Sequence, residues 1–324
     1  MSIEPNTPPR QASPSAAARW APRARFIALE RRIGLWAQAH GAGWQFGYEL
    51  VRFGIKQGWA CLFGGLMLAL LLATHRWYPA HAALARYDFL VLAALGLQAA
   101  MLGLKLETWE EAKVILAFHI VGTVMEVFKT SVGSWTYPEP SLLRVAGVPL
   151  FTGFMYAAVG SYLARVWRLF DFQFTRHPPL WALGGLAGAI YINFFAHHYL
   201  PDIRILLFAA AALLFGRCWV HYRIWRRHRS MPMLAGLTLV AMFIWLAENI
   251  GTYTRTWAYP NQLAGWAPVP VTKLGAWFLL MLISYALVAA VHGVRAYGAA
   301  TKPVSRPGRT NGDTSVFIFG RKEE

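Results

Sequence analysis

Apolar residues in this chain come in long, nearly uninterrupted runs. A helix needs about 20 mostly apolar residues to cross a bilayer, and eight segments of the chain meet this requirement. The predicted spans are residues 57–74, 85–104, 112–131, 149–167, 179–199, 202–222, 231–252 and 270–292. The pattern therefore predicts an all-α polytopic membrane protein with about eight transmembrane helices.

Signals for helix starts agree with these boundaries. Five predicted helices begin at or just after a proline, which is favoured in the first turn because its missing N–H costs nothing there; these are Pro149, Pro179, Pro201, Pro232 and Pro270. The third helix opens with Thr108-Trp-Glu-Glu111, the pattern of a capping box.

The segments outside the predicted membrane domain (57–295) are polar or amphipathic. Residues 1–22 are rich in Pro, Ala and Ser and lack an apolar core, which predicts a disordered tail and no signal peptide. Residues 23–56 combine basic and aromatic side chains, which predicts a basic amphipathic helix on the membrane surface. Residues 296–324 are predicted to form a polar cytoplasmic tail.

Composition and charge narrow the class further. Hydrophobic residues make up 56% of the chain and charged residues only 14%, against roughly 25% charged in soluble domains. This excludes a soluble enzyme, a disordered chain and a disulfide scaffold.

The net charge is +16, and 24 of the 31 Lys and Arg fall on one side of the predicted threading. The positive-inside rule then predicts that both termini face the cytoplasm, in a bacterial inner membrane. The excess of basic residues reflects topology, so we predict a lipid bilayer and no nucleic acid as the partner.

Motifs of soluble enzymes are absent: the chain has no GxSxG, GxxxxGK[ST], CxxC or HExxH. His197 and His198 are similar to a histidine box of membrane di-iron desaturases, but the other histidines are spread over both membrane faces. We therefore predict no metal and no cofactor.

Two segments of the chain resemble each other at an interval of 122 residues. The matched pairs are Glu126 with Glu248, Thr130 with Thr252, Trp135 with Trp257, Tyr137 with Tyr259, and Pro138 with Pro260. Four predicted spans separate the copies, so both lie the same way up. This predicts two parallel four-helix repeats, about 57–167 and 179–292, around an axis normal to the membrane.

The two glutamates of the repeat are the principal candidates for chemistry. A carboxylate inside a membrane is a functional candidate by default, and two of them at one depth favour one protonated and one ionised group. Glu126 and Glu248 are thus the predicted catalytic acid and base. The predicted substrate-binding residues are polar or aromatic side chains near them: His119, Trp135, Tyr137, Asn193, His197, Trp257 and Tyr259.

A purely structural role is the alternative for these carboxylates. Glu126 would then pair with Lys129, and Glu248 with Arg255 or with loop amides. The Trp-x-Tyr-Pro segments would be turns anchored by aromatic residues at the membrane interface.

The chain resembles an uncharacterised bacterial integral-membrane family, the domain of unknown function numbered 817, over roughly residues 44–295. The resemblance runs through Phe53-Gly-Ile-Lys56-Gln57, Asn193-Phe-Phe-Ala-His197-His198 and both repeat segments. It implies a multi-pass fold and brings no assigned activity.

A weaker resemblance is to membrane carotenoid hydratases and heterodimer-type lycopene cyclases. It is carried by the order Glu126, Gly133, Trp135-Thr-Tyr137 and Gly147-Val-Pro149. The Pro-x-Glu-Glu signature of the cyclases is absent after Pro149 and Pro270. The resemblance therefore implies acid–base chemistry on an isoprenoid or other lipid alkene rather than cyclisation.

Two functional hypotheses follow. In the first, the protein is an enzyme that uses the paired carboxylates on a hydrophobic small molecule entering from the bilayer. In the second, the same pair binds protons at the repeat interface of a secondary transporter for a small solute.

Overall fold

A computed structural model describes residues 28–298 of the 324-residue chain. The predicted disordered tail (1–22) and nearly all of the predicted cytoplasmic tail (296–324) lie outside the described residues. The described part is mainly helical, with five short strands and one 3-10 turn, Pro260–Gln262.

Ten helices are present among the described residues. Residues 28–39 form α1. The others are α2 Ala42–Ala60, α3 Leu62–Trp77, α4 Arg86–Gly103, α5 Trp109–Ser131, α6 Phe151–Phe170, α7 Leu180–Ala196, α8 Arg204–Phe215, α9 Met233–Tyr253 and α10 Lys273–His292. Helices α3 to α10 fall on the eight predicted apolar segments in order, and the expected basic helix over 23–56 falls on α1 and α2.

Within residues 28–298, three helices are long and apolar enough to cross a membrane: Glu111–Ser131 in α5, α9 and α10. Helices α2 and α3 are bent relative to each other by 68°; taken together as one broken span, they add a fourth candidate. The remaining apolar helices include α7 and α8, with 17 and 12 residues. The protein is therefore a helical, membrane-associated chain with three to four candidate spans.

The predicted helix over 202–222 is wrong in its second half. Helix α8 ends at Phe215, and the chain continues as β4 Trp219–Arg223 and β5 His228–Pro232. These strands form an antiparallel hairpin, and β4 also pairs with β3 Gln173–Thr175. The polar, arginine-rich stretch from Arg217 to Arg229 satisfies its backbone groups in this small sheet instead of in a buried helix.

The predicted start of the helix at residue 108 is confirmed in detail. The Thr108 side chain accepts a hydrogen bond from the Glu111 backbone N–H at 3.2 Å, and the Glu111 carboxylate accepts one from the Thr108 N–H at 2.8 Å. This reciprocal pair satisfies two N–H groups that have no partner within the helix.

The chain divides into two units, one ending at Gly54 and the other beginning at Ile55. Within the first, Arg52 forms an ion pair with Glu30 and donates to the Tyr48 hydroxyl at 3.1 Å. The second contains α3 to α10 and all the strands, and the candidate site lies within it.

Helices α5 and α6 pack very closely because glycines face side chains of the partner helix. A Cβ atom added at Gly122 would lie 2.5 Å from the Tyr156 ring, and one added at Gly153 would lie 2.4 Å from His119 Nδ1. Small residues permit this close approach of helices in a membrane. The contact holds the two helices that carry part of the candidate site in a fixed register.

A buried ion pair joins the start of α5 to α6. Arg165 Nη2 lies 3.3 Å from Glu107 Oε1, and the side chains are 1% and 0% exposed. The Ser161 hydroxyl donates to the same carboxylate oxygen at 2.5 Å. The Glu107 carboxylate is thus fully partnered although it is removed from solvent.

The end of α6 is tied to the sheet and to the chain after α10 through Asp171. Its carboxylate contacts Arg295 at 2.5 Å, Arg223 at 3.2 Å and His228 at 3.5 Å. Burial raises the pKa of Asp171, but the hydrogen bond from Arg295 and the charges of Arg223, Arg295 and His228 outweigh this, so the pKa lies below its usual value of 3.8.

Candidate functional site

Glu126 lies in the last third of α5 and is 6% exposed. Its Oε2 accepts hydrogen bonds from Trp135 Nε1, at 2.7 Å, and from the Tyr137 hydroxyl. Its Oε1 accepts one from the Tyr156 hydroxyl of α6 at 2.8 Å. All three partners of this buried carboxylate are aromatic side chains.

Glu248 lies near the end of α9, is 4% exposed, and has a similar environment. Its Oε1 accepts a hydrogen bond from the Tyr259 hydroxyl, and its Oε2 accepts one from Trp277 Nε1 of α10. Each glutamate is therefore bound by the tyrosine that follows it by 11 residues and by an aromatic donor from the next helix.

The two loop tyrosines are held in their protonated form. Burial raises the pKa of Tyr137 well above its usual range, and the charge of Glu126 and its hydrogen bond raise it further. Burial and the charge of Glu248 act in the same way on the pKa of Tyr259. Both side chains therefore keep their hydroxyl proton over the whole physiological pH range.

The loops that follow α5 and α9 meet at one backbone bridge. The Thr136 N–H donates to the Ala258 carbonyl at 2.9 Å, and the Ala258 N–H donates to the Thr136 carbonyl at 3.0 Å. Beside this bridge, the Trp135 and Tyr259 rings are in edge contact with centroids 6.0 Å apart. Since Trp135 binds Glu126 and Tyr259 binds Glu248, two aromatic side chains connect the carboxylates.

Trp257 does not reach a carboxylate, unlike its counterpart Trp135. Its ring lies against Gly251 so closely that a Cβ atom added to this glycine would be 2.0 Å from the ring. The position 122 residues before Gly251 is Lys129. The first copy therefore has a long side chain where the second has a glycine, and there the Trp135 indole binds Glu126.

Lys129 interacts with the end of α7 and not with Glu126. Its Nζ lies 2.8 Å from His198 Nε2 and 3.4 Å from His197 Nε2, and 4.3 Å from the centre of the Phe194 ring. Neither Glu126 nor Glu248 forms an ion pair in the described part of the chain. The pairings with Lys129 and Arg255 that a structural role requires are thus not seen there.

Asn193 and His197 stabilise the turn between α7 and α8. Asn193 donates to Asp202 Oδ1 at 3.0 Å and accepts from the Ile203 N–H at 3.2 Å, while His197 Nδ1 lies 2.8 Å from the Asn193 carbonyl. His197 reaches the site only through Lys129. No group of three or more His, Cys, Asp or Glu suited to a metal occurs among residues 28–298.

His119 lies two turns before Glu126 on α5 and faces α6. Its ring contacts the Phe154 ring at a centroid distance of 4.6 Å and lies over Gly153. It shares a helix face with Glu126, but it contributes no bond to either carboxylate.

Sequence reasoning missed Tyr156 and Trp277, although the chain contains a signal for both. Each stands seven residues after the proline that begins its helix segment, Pro149 in one copy and Pro270 in the other. One residue is a tyrosine and the other a tryptophan, so a comparison of identical residues between the two copies does not pair them. The two side chains share only the ability to donate a hydrogen bond, through O–H in one and N–H in the other.

A narrow groove runs between α5, α6, α9 and α10. Its lining is almost entirely apolar and includes Met125, Leu280 and Ser284 together with Tyr156 and Trp277. The aromatic donors to the two carboxylates therefore also form part of the groove wall.

These features define a helical, membrane-associated protein with two buried glutamates, each hydrogen-bonded to aromatic side chains that meet at a ring contact. The family described as "Protein of unknown function (DUF817)" matches residues 49–285, and the chain belongs to this family. It is 40% identical over 247 residues to "Uncharacterized protein YoaT" of Bacillus subtilis (strain 168), covering 76% of this chain and 93% of that protein.

A solved structure, that of a cross-linked MvINS trimer, is a distant match. It is 17% identical, has a TM-score of 0.38, and covers 58% of this chain and 98% of the solved one. A likeness of this size carries no conclusion about the fold or the activity.

Proposed function

We propose that the protein is a membrane enzyme that adds and removes protons on a lipid or isoprenoid alkene, with Glu126 and Glu248 as acid and base. The observation that carries this proposal is the arrangement of the donors. Each carboxylate has one oxygen bound to a tryptophan indole, joined in Glu126 by the Tyr137 hydroxyl, and the other oxygen bound to a single tyrosine hydroxyl.

The donor types separate the two oxygens chemically. An indole N–H can only donate, whereas a tyrosine hydroxyl both donates and accepts. The oxygen bound to the indole is thus kept as an acceptor, and the oxygen facing Tyr156 or Tyr259 is the one that can carry a proton. Each glutamate can therefore gain or lose one proton without losing its position.

Two such carboxylates suffice for a balanced reaction. The protonated glutamate transfers its proton to one carbon of a double bond, and the ionised glutamate removes a proton from a neighbouring carbon of the resulting cation. The double bond moves, no other reactant is consumed, and the two glutamates exchange protonation states. Faces of Trp135, Tyr137 and Tyr259 would stabilise the developing positive charge, with Trp257 further from the carboxylates.

We further propose eight spans in two parallel four-helix repeats, with both termini in the cytoplasm of a bacterial inner membrane. Helices lie on all eight predicted segments, and α5, α9 and α10 are long and apolar enough to support spans directly. The mutual backbone bridge of Thr136 and Ala258, which occupy equivalent positions, supports a twofold relation between the copies. The distribution of Lys and Arg supports the orientation.

The direct test compares lipid extracts by mass spectrometry. A strain lacking the gene is complemented with wild type, with the Glu126→Gln/Glu248→Gln variant, or with Glu139→Gln, which alters a carboxylate bound to Arg86 outside the site. We expect a lipid that accumulates in the deletion and in the double variant and returns to normal with wild type and Glu139→Gln. Identical extracts from all strains would reject the proposal.

Proton-coupled transport is the second candidate. It is favoured by the same proton-exchanging glutamates, one on each of two helix pairs joined by the Thr136–Ala258 bridge. Transport predicts a proton flux across sealed vesicles that requires a solute and that Glu126→Gln abolishes. Vesicles in which no solute moves after a pH jump would exclude transport of the solutes tested.

A further inference from the structure

The apolar groove leads to a pair of lysines at one end. Met125 lines it on α5, and Lys129 follows four residues later; Trp277 lines it on α10, and Lys273 precedes it by four. Residues four apart lie on the same face of a helix. Because the loops after α5 and before α10 meet at the Thr136–Ala258 bridge, both lysines lie at the same end of the groove.

Lys129 is 5% exposed and forms no ion pair among the described residues; the carboxylate that acts on it at longer range is Asp202, which is paired with Arg204. Two histidine nitrogens and the Phe194 ring surround it. An ammonium group has three N–H donors, and a buried charge is costly unless an opposite charge compensates it. These contacts hold the Lys129 side chain in place, but none of them is with a carboxylate that would neutralise its charge.

Lys273 is half-buried and likewise forms no ion pair among the described residues. Its Nζ lies 4.4 Å from the centre of the Tyr259 ring, and the described residues offer it no hydrogen-bond acceptor. Lys273 and Arg204 both lie within electrostatic reach of Lys129. Arg204 forms an ion pair with Asp202 at 2.9 Å, so its own charge is neutralised by that carboxylate. Glu248 is the carboxylate that acts on Lys273, and both of its oxygens bind aromatic donors.

We propose that the lysine pair and the groove together bind one anionic amphiphile, with a phosphate group at Lys129 and Lys273 and the first carbons of an isoprenoid chain in the groove. A phosphate monoester offers enough oxygens to accept from both ammonium groups at once. The inference deepens the proposed function and rests on it, because it names the substrate class of the same site.

The groove favours an amphiphile over a free phosphate ion. A chain that starts at the lysines and follows the groove passes Tyr156 and Trp277, the donors to Glu126 and Glu248. A double bond in the first part of the chain would then lie beside the side chains that hydrogen-bond to the two carboxylates. The headgroup thus sets the position along the chain at which protons are exchanged.

The test is a binding measurement on the full chain purified in nanodiscs of zwitterionic lipid. Farnesyl phosphate is compared with farnesol, which lacks the phosphate, and with inorganic phosphate, which lacks the chain. We expect farnesyl phosphate to bind at least about tenfold more tightly than either. Equal affinity for farnesol would overturn the headgroup contact, and equal affinity for inorganic phosphate would overturn the role of the groove.

Variants locate the site. Lys129→Met and Lys273→Met should each weaken farnesyl phosphate about tenfold or more, while Lys105→Met, an exposed lysine in the loop after α4, should leave the affinity unchanged. Ser284→Phe should fill the groove and weaken farnesyl phosphate without affecting inorganic phosphate. Unchanged affinity in both site lysine variants, with folding verified by the unfolding midpoint, would overturn the proposal.

The Glu126→Gln/Glu248→Gln variant separates this inference from the proposed function. We expect it to bind farnesyl phosphate at least as tightly as wild type, since the phosphate contacts the lysines and the variant removes the negative charge near Lys273, and to form no product. Product formation by this variant would reject the catalytic proposal alone, and loss of binding in a folded Glu variant would count against the lysine site.

Discussion

Thr136 and Ala258 exchange both of their backbone hydrogen bonds with each other. They stand 122 residues apart, the same interval that separates Glu126 from Glu248 and Tyr137 from Tyr259. In this antiparallel pair, each residue donates to the other in the same way. A twofold axis that relates the two copies would therefore pass between Thr136 and Ala258. The bridge thereby sets the distance between the two glutamates that carry the proposed chemistry.

A cysteine pair at this bridge should form a disulfide. Directly paired antiparallel residues with mutual hydrogen bonds have Cα atoms about 5.5 Å apart, within the range that a disulfide spans. We expect Thr136→Cys/Ala258→Cys, in a chain whose Cys61 and Cys218 are replaced by serine, to show an internal cross-link by mass spectrometry after mild oxidation.

The single variants Thr136→Cys and Ala258→Cys serve as controls and should show none. A double variant that stays reduced, or that links only between chains, would mean that the two loops do not meet in the membrane.

Trp135 and Trp257 form a matched pair for testing the carboxylate network. Trp135→Phe removes one of the two donors to Glu126 Oε2, and a hydrogen bond to a carboxylate contributes about 1.5–3 kcal/mol. Product formation in the complementation assay should therefore fall about tenfold or more. Trp257→Phe, at the equivalent position, removes an indole that binds no carboxylate and should reduce it far less. Equal losses in both variants would contradict the asymmetry between the copies.

Gly251 should not tolerate even one additional carbon. Because a Cβ atom there would lie 2.0 Å from the Trp257 ring, Gly251→Ala should lower the free energy of unfolding by about 1–3 kcal/mol. Gly96→Ala provides the control, since no atom lies within 4 Å of a Cβ added there, and it should be neutral or stabilising by up to about 1 kcal/mol. Unfolding by a denaturing detergent measures both.

The buried pair of Arg165 and Glu107 should matter more for stability than an exposed one. Arg165→Met leaves a buried carboxylate without its charge partner and should cost about 3–5 kcal/mol. Arg204→Met breaks the pair with Asp202, whose side chains are 39% and 36% exposed, and should cost less than about 1 kcal/mol. Comparable unfolding midpoints for the two variants would show that the Arg165 pair is not desolvated.

The Asp171 cluster should make stability depend on pH in the acidic range. The pKa of this carboxyl is lower in the folded protein than its usual value of 3.8, so its contribution is present above that value and is lost as the pH falls through the folded pKa. Asp171→Asn should therefore be less stable than wild type at neutral pH, and the two melting temperatures should converge in strong acid. If the difference in melting temperature persisted unchanged at low pH, it would come from packing and not from the charge of Asp171.

Local sequence determined the positions of the helices and part of the candidate site. Apolar runs and prolines located helices on all eight predicted segments, and Thr108 and Glu111 specified a helix start, because backbone hydrogen bonds and capping involve near neighbours in the chain. The tyrosine that binds each glutamate lies only 11 residues after it, in the loop that directly follows its helix. The repeat interval was therefore sufficient to select Glu126, Tyr137, Glu248 and Tyr259.

Tertiary structure decided which donors reach these carboxylates. Tyr156 and Trp277 come from the following helices, and Lys129 turns to His197 and His198 on α7, so their roles depend on how helices pack. Trp135 and Trp257 match in sequence, yet only Trp135 reaches a glutamate, because a glycine leaves room for the other ring. Distant side chains compete for the same space, and local sequence does not contain the outcome of that competition.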